Sequence, residues 1–407
     1  MIIYQIYPTQ WSGLQQIISK IPYFKEMGYE ALWLSPCYPS SGYDNGYDVS
    51  DYKAIDPKFG TLTDMKDLIE EAHSHDIKIL MDLVINHTSI ENEVYRKALL
   101  GDKYSQDMFH FYDEPQNDWE AIFGGSAWRY EPTINKYVFH AFTEGQIDWN
   151  FDNETTWSYW QDINEFWLNE MTIDGYRIDA VTHMAKGSWD TEKTPGDKGA
   201  PYKCAPKLEG YLKILSNQIY SIKPDAFLMG EANGIDAQGA KQWIDKGYFD
   251  CIISFEHLTP FKVRGVGNDL AVPEAISKMQ EWSEVLGESN VSYIQSHDIA
   301  CAYNMMGMSH YELADMVFSH NGHKLIYNGQ ETGMVNTVTN SREPETISRT
   351  NDFIKLGMTY DEAKITANKI SRDNARQVID WNNNADLTQY YKELCFSERD
   401  SKDFKLA

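Results

Sequence analysis

Short apolar runs recur along the chain, and four of them end on a carboxylate. They are Ile79-Leu80-Met81-Asp82, Gly175-Tyr176-Arg177-Ile178-Asp179, Phe227-Leu228-Met229-Gly230-Glu231 and Tyr293-Ile294-Gln295-Ser296-His297-Asp298. Apolar runs without alternation read as strands buried on both faces, the signature of a parallel sheet. The pattern predicts strands at 2–7, 31–35, 78–85, 174–179, 226–231, 250–255, 292–297 and 324–328. Between them, apolar positions at helical spacing predict helices over 62–74, 157–170, 208–222, 273–286 and 311–320, with 387–396 as the last. Strands and helices alternating in this number fit an α/β protein, a TIM (β/α)8 barrel. The carboxyl ends of such strands gather at one rim, which is where catalytic groups lie.

Composition narrows the function classes. The 407 residues are 42% hydrophobic and 24% charged, values of a globular chain with a sizeable core. A net charge of −25 argues against a nucleic-acid partner. No apolar stretch reaches membrane-spanning length, and no basic leader precedes the first strand, so a cytoplasmic location is expected. Five scattered cysteines, Cys37, Cys204, Cys251, Cys301 and Cys395, have no metal-type spacing and read as free buried thiols. The interval 86–156 is too long for one helical crossover and is rich in Trp, Tyr, Gly and Asp.

Two of the rim acids sit in different settings. Arg177 lies two residues before Asp179 on the same strand face, and a nearby guanidinium keeps a carboxylate ionised. Glu231 follows an apolar run, which favours the protonated form. A nucleophilic carboxylate and a protonated acid are what a retaining glycosidase needs.

Motif by motif, the chain resembles the α-amylase superfamily of glycoside hydrolases. Residues 82–87 are similar to its first signature, 175–183 to its second, Gly230-Glu231 to its third and His297-Asp298 to its fourth. The resemblance runs from Tyr4-Gln5-Ile6-Tyr7-Pro8 to Ser371-Arg372-Asp373-Asn374-Ala375-Arg376. Asp44-Asn45-Gly46-Tyr47-Asp48, Asn328-Gly329-Gln330-Glu331 and the Arg372 motif are closest to the oligo-1,6-glucosidase, dextran glucosidase and α-glucosidase branch. The resemblance implies a catalytic barrel over 1–86 and 149–400 and a small subdomain inserted after strand three, 87–148. The family normally continues into a C-terminal β-domain, for which no room remains before Ala407.

By the same resemblance, Asp179 is the nucleophile, Glu231 the general acid/base and Asp298 the acid that grips sugar hydroxyls. His87, His183 and His297 are expected to contact sugar, and Tyr47 to stack on it. Asp48 is expected to pair with Arg372 around the far hydroxyl of the terminal sugar. The implied activity is a retaining, exo-acting α-glucosidase on short isomalto- and malto-oligosaccharides, taken from the non-reducing end. Two alternatives remain. One is a transglycosylase or isomerase of the same superfamily. The other is a non-catalytic barrel that binds sugar or a partner, which usually lacks one of the acids. The residue after the nucleophile is Ala180 where α-1,6 enzymes have Val, which leaves room for α-1,4 bonds. Ser296, Cys301 and Gln377 depart from the family pattern and bear on substrate choice. No cofactor is expected: residues 9–14 lack the carboxylates of the family's first calcium loop, and only an Asn86-type calcium site stays open.

Overall fold

The computed structural model describes residues 1–193, 197–264 and 270–406; the expected barrel range 149–400 also takes in 194–196 and 265–269, which lie outside the described residues. The eight strands fall where the apolar runs predict them. They are β1 (Ile2–Ile6), β2 (Ala31–Leu34), β3 (Lys78–Leu83), β4 (Gly175–Ile178), β5 (Phe227–Glu231), β6 (Cys251–Ile253), β7 (Val291–Ser292) and β8 (His323–Tyr327). Every ladder is parallel, and the order across the sheet is β6-β5-β4-β3-β2-β1-β8-β7. The sheet curls until β6 and β7 lie side by side, where Tyr293 Oη donates to Ser254 O at 2.8 Å across the seam. This is a nearly closed TIM barrel with its interior filled by buried Ile, Leu, Met and Tyr side chains.

The two strands that flank the seam, β6 and β7, fall furthest short of their expected lengths. The run 292–297 contributes only Val291–Ser292 to the ladder. Beyond it, Gln295 Oε1 accepts from Ala302 N at 3.0 Å and Ser296 Oγ from Asp298 N at 3.2 Å, so these side chains build a loop instead. The helix expected at 157–170 starts earlier, at Glu154, and passes into a wider turn over Phe166–Glu170. Helix Leu208–Ile222 has the expected bounds, whereas the last helix runs over Ala385–Leu406.

Two excursions rise above the rim. The first follows β3: strand His87–Ser89 pairs antiparallel with Gln146–Asp148, and a separate antiparallel sheet joins Phe111–Tyr112, Lys136–Phe139 and Trp128–Glu131. It carries an aromatic cluster around Trp119, Trp128 and Phe139, which Tyr202 joins from the segment after β4. The second follows β8 and holds the helices Pro344–Lys355 and Tyr360–Lys369 before the turn Arg372–Ala375. No helix among the described residues is long and apolar enough to cross a membrane. The cysteines are free, but Cys204 is exposed rather than buried, because it sits in a surface turn with φ of 53°.

Gly175 opens β4 directly opposite Phe227 of β5. A Cβ there would lie 2.0 Å from Phe227 O and 2.6 Å from Phe227 N, both backbone atoms that cannot swing aside. Gly175→Ala is therefore expected to cost at least about 3 kcal/mol of stability. A urea titration checks it, and a midpoint within error of wild type would refute it.

Candidate active site

The register of β3, β4 and β5 converges three carboxylates on one guanidinium. Asp82 and Arg177 are ladder partners, and Glu231 ends the next strand. Arg177 is almost wholly buried. Its Nη1 donates to Asp82 Oδ1 at 2.8 Å and to Asp179 Oδ1 at 2.7 Å, and its Nη2 donates to Glu231 Oε2 at 2.7 Å. The arginine expected to keep Asp179 ionised thus serves three carboxylates at once.

Backbone geometry fixes the second oxygen of the pair. Ala180 adopts a left-handed conformation, φ 45°, immediately after Asp179. That twist turns its N–H to Glu231 Oε2 at 3.0 Å. Glu231 Oε1 is left facing the pocket, where Asn233 Nδ2 donates to it at 3.2 Å. Burial raises both carboxyls, Asp179 to about 7 and Glu231 to about 8, while Arg177 pulls them down. Asp298 behaves oppositely. Burial works against its charge, but the His297 ring, Arg372 and Arg376 hold it well below the usual carboxylate range.

These acids line one pocket of ≈ 170 Å³, walled by Tyr47, Phe123, Phe142, His183 and Arg372 among others. Apolar cavities of about 150 Å³ hold a single six-membered ring, which sets the scale. Arg372 stands at one end. Its Nη2 donates to Asp44 Oδ1 at 2.7 Å, its Nη1 to Asp298 Oδ1 at 3.1 Å and its Nε to Glu343 Oε1 at 2.6 Å. The Phe123 ring lies 5.3 Å from its guanidinium carbon, so both excursions contribute to this wall.

The expected Asp48–Arg372 pair does not form. Asp48 is spent inside its own loop, accepting from Ser40 Oγ at 2.6 Å, Ser41 N at 2.8 Å and Asp44 N at 3.1 Å. Asp44, four residues earlier, reaches the arginine instead. The remaining expected residues divide into two groups. Tyr47, His87 and His183 line the pocket. His297 lies behind it, neutral because burial lowers it to about 3, stacked on Tyr47 at 5.2 Å. Its Nδ1 accepts from Gln5 Nε2 at 2.7 Å, and its Nε2 meets Tyr47 Oη at 2.6 Å. Tyr47 Oη in turn donates to Asp82 Oδ2 at 3.0 Å, completing a chain back to Arg177. Asp44, Asp82, Asn233 and Glu343 join the site beyond the residues expected from sequence; Asp44 heads the motif that ends at Asp48 and Asp82 ends an apolar run, while Asn233 and Glu343 carry no such signal.

The Asn86-type calcium position also resolves differently. Asn86 Oδ1, Asp148 Oδ2 and the His183 carbonyl converge, and the ammonium of Lys186 sits among them. It lies 2.6 Å from Asp148 and 3.0 Å from Asn86. Burial lowers Lys186, and Asp148 opposes that. The oxygens a cation needs are present, but this chain supplies the cation itself. No cluster of three or more His, Cys, Asp or Glu suited to a metal occurs among the described residues.

A family model for the α-amylase catalytic domain matches residues 6–400. Oligo-1,6-glucosidase of Heyndrickxia coagulans is 31% identical over 93% of this chain and 76% of its own length. Trehalose-6-phosphate hydrolase of Bacillus subtilis is 30% identical over 93% of this chain and 73% of its own. Among solved structures, trehalose-6-phosphate hydrolase of Bacillus licheniformis superposes with a TM-score of 0.86 at 26% identity, covering 98% of this chain and 83% of that one. The trehalulose synthase MutB superposes at 0.87 with 23% identity, covering 98% and 84%, a likeness of fold alone.

Removing the internal cation has a definite consequence. Lys186→Met leaves Asp148 buried and unpaired, which is expected to cost about 3–5 kcal/mol. Treating the wild type with EDTA should leave its urea midpoint unchanged. A midpoint that falls on chelation, and recovers with calcium, would show that Lys186 does not fill the site.

Proposed function

Since the chain belongs to the α-amylase family of glycoside hydrolases, we propose that it is a retaining, exo-acting α-glucosidase. It removes single glucose units from the non-reducing end of short α-glucosides. The observation that carries the reading is the pair Asp179–Glu231, clasped by one guanidinium at the rim of a closed-ended pocket. A single guanidinium spanning both carboxyls supports the short separation, about 5 Å, used in double displacement.

In the first step Asp179 attacks the anomeric carbon, and Glu231 gives its proton to the departing glycosidic oxygen. A glycosyl ester forms on Asp179 as the old bond breaks. In the second step the Glu231 carboxylate takes a proton from water, whose oxygen displaces Asp179 and restores it. Glu231 Oε2 is anchored by Arg177 and Ala180, so the proton travels on Oε1, the oxygen that faces the pocket. The ionised Asp298 supports the positive charge that develops on the sugar. Asp44 and Arg372 supply an acceptor and a donor for the far hydroxyl, and their ion pair stands across that end of the pocket. Ala180 lines the same pocket and leaves room for α-1,4 as well as α-1,6 linkages. Five free thiols support a reducing, cytoplasmic setting.

Asp179→Asn is expected to lower kcat on isomaltose by several powers of ten with an unchanged urea midpoint. Near-normal turnover would refute the nucleophile. The same pair predicts a bell-shaped dependence of kcat/KM on pH. The rate rises as Asp179 loses its proton and falls as Glu231 loses its own, with the two limbs near their values of about 7 and about 8. On an aryl glucoside with a good leaving group, Glu231→Gln should abolish the alkaline limb and keep the acid one. An alkaline limb that survives would assign the acid elsewhere.

The exo mode is tested separately. Arg372→Ala and Asp44→Ala should each reduce kcat/KM at least about 100-fold on every oligosaccharide, since each removes a partner of the far hydroxyl and Arg372→Ala also leaves Asp44 buried without its cation. Wild type should release glucose from the first turnovers and leave starch intact. Early internal cleavage of starch would sink the exo reading. A panel of isomaltose, maltose, trehalose, trehalose 6-phosphate and sucrose fixes the substrate. Preference for trehalose 6-phosphate would move the assignment to the hydrolase of that ester.

A further inference from the structure

The excursion after β8 contains a second pocket, on the outer side of the segment that holds Arg372. Its volume is ≈ 230 Å³ against ≈ 170 Å³ for the catalytic one. It opens between the helices Pro344–Lys355 and Tyr360–Lys369. Its charged wall residues are Arg342 and Lys364; no carboxylate lines it. The chain carries 61 acidic and 36 basic residues, so a pocket with cations alone runs against the composition. Neighbouring cations are paired: Arg349 with Glu345, and Lys355 with Asp352 at 3.1 Å. Among the described contacts, Arg342 and Lys364 have no carboxylate partner.

We propose that this pocket binds the phosphate group of a small ligand. A guanidinium offers paired donors to phosphate oxygens, and an ammonium adds a point charge. Amides of Asn340 and Asn351 stand on the same wall. The Tyr360 ring, 63% exposed, supplies a flat face on which a sugar carrying the phosphate can lie. The overall negative charge does not forbid this. Charges more than about 8 Å away are screened at physiological salt, and the nearest carboxylates, Asp373 and Glu343, lie beneath the floor, each engaged by a hydroxyl of Ser341 or Thr346, so the cations on the wall are what a ligand meets.

The floor is rigid, and that favours binding because little is left to order. Ser341 N donates to Asn368 Oδ1 at 2.6 Å, and Ser341 Oγ to Asp373 Oδ2 at 2.6 Å. Thr346 Oγ1 donates to Glu343 Oε2 at 2.7 Å. These bonds tie the floor to the turn carrying Arg372, yet none of the proposed ligand-binding groups belongs to the catalytic pocket.

Calorimetric titration of the full chain with inorganic phosphate, glucose 6-phosphate and glucose tests the site. The comparison protein is the double variant Arg342→Gln/Lys364→Gln, whose changes are on the surface and leave the catalytic pocket intact. Any binding in that pocket is then common to both proteins. Both phosphates are expected to bind the wild type and to weaken at least tenfold in the variant, the loss for two charge-assisted contacts. Glucose should titrate alike in both. Tighter binding of glucose 6-phosphate than of inorganic phosphate identifies a sugar-borne group, and equal binding identifies free phosphate. Equal affinity of both proteins for the phosphates, or no binding to wild type up to about 10 mM, would overturn the proposal.

Discussion

A guanidinium buried in the mouth of a barrel has to be neutralised, and the structure around Arg177 is arranged to do so. An unpaired charge in that position costs several kcal/mol. Asp82 answers it from the adjacent strand at the same level of the ladder, which fixes the register of β3 against β4. The Trp33 and Tyr47 rings lie 5.0 and 5.8 Å from its guanidinium carbon and close the remaining sides. Trp33 Nε1 also donates to Asp82 at 3.1 Å. Barrel packing and site geometry therefore share one constraint. A register slip that spoiled the core would also strand the charge.

The same constraint distributes protons. Three carboxyls meet one positive charge, and a low-dielectric site does not keep three ionised groups beside one cation. Burial raises all three: Asp82 to about 6, Asp179 to about 7 and Glu231 to about 8. Hydrogen bonding sets Asp82 apart from the other two. Asp82 accepts two from Arg177, one from Trp33 and one from Tyr47, so it gives up its proton first. Glu231 keeps its proton longest. The proposed division between nucleophile and acid thus arises around one shared arginine, with burial raising both carboxyls and Arg177 opposing it at both, rather than from an arginine reserved for one of them.

Much of this was legible in the sequence because strands declare themselves locally. An apolar run ending in Asp or Glu states its burial and the direction its last side chain faces, which with the family signatures named Asp179 and Glu231 before any contact was known; Asp298 was named by its signature, since its run leaves the ladder at Ser292. Loops do not declare themselves in that way. Asp44 and Asp48 share one short segment, and the choice between them rests on the turn at Asn45 and Gly46, with φ of 51° and 108°. That turn sends Asp44 outward to Arg372 and folds Asp48 back onto Ser40 and Ser41. The cradle around Lys186 was illegible for another reason. Its oxygens come from Asn86, Asp148 and His183, three segments that only the inserted strands bring together.

Arg372 repeats the logic of Arg177 at the far end of the pocket, with the opposite outcome. Here Asp44, Glu343, Glu345 and Asp298 surround the guanidinium, and Arg376 adds a second positive charge beside Asp298. With two cations at hand, Asp298 stays ionised, whereas Glu231 shares one cation with two other acids and does not. The pocket is therefore polarised along its length: Glu231 is raised into holding its proton towards one end, and Asp298 is held ionised towards the other. Asp298 touches His297 on the Arg177 side and Arg372 on the other, so it is the one group that links the two ends. In the proposed reaction, a sugar held between them would meet fixed charge at its outer hydroxyls and a transferable proton at its glycosidic oxygen.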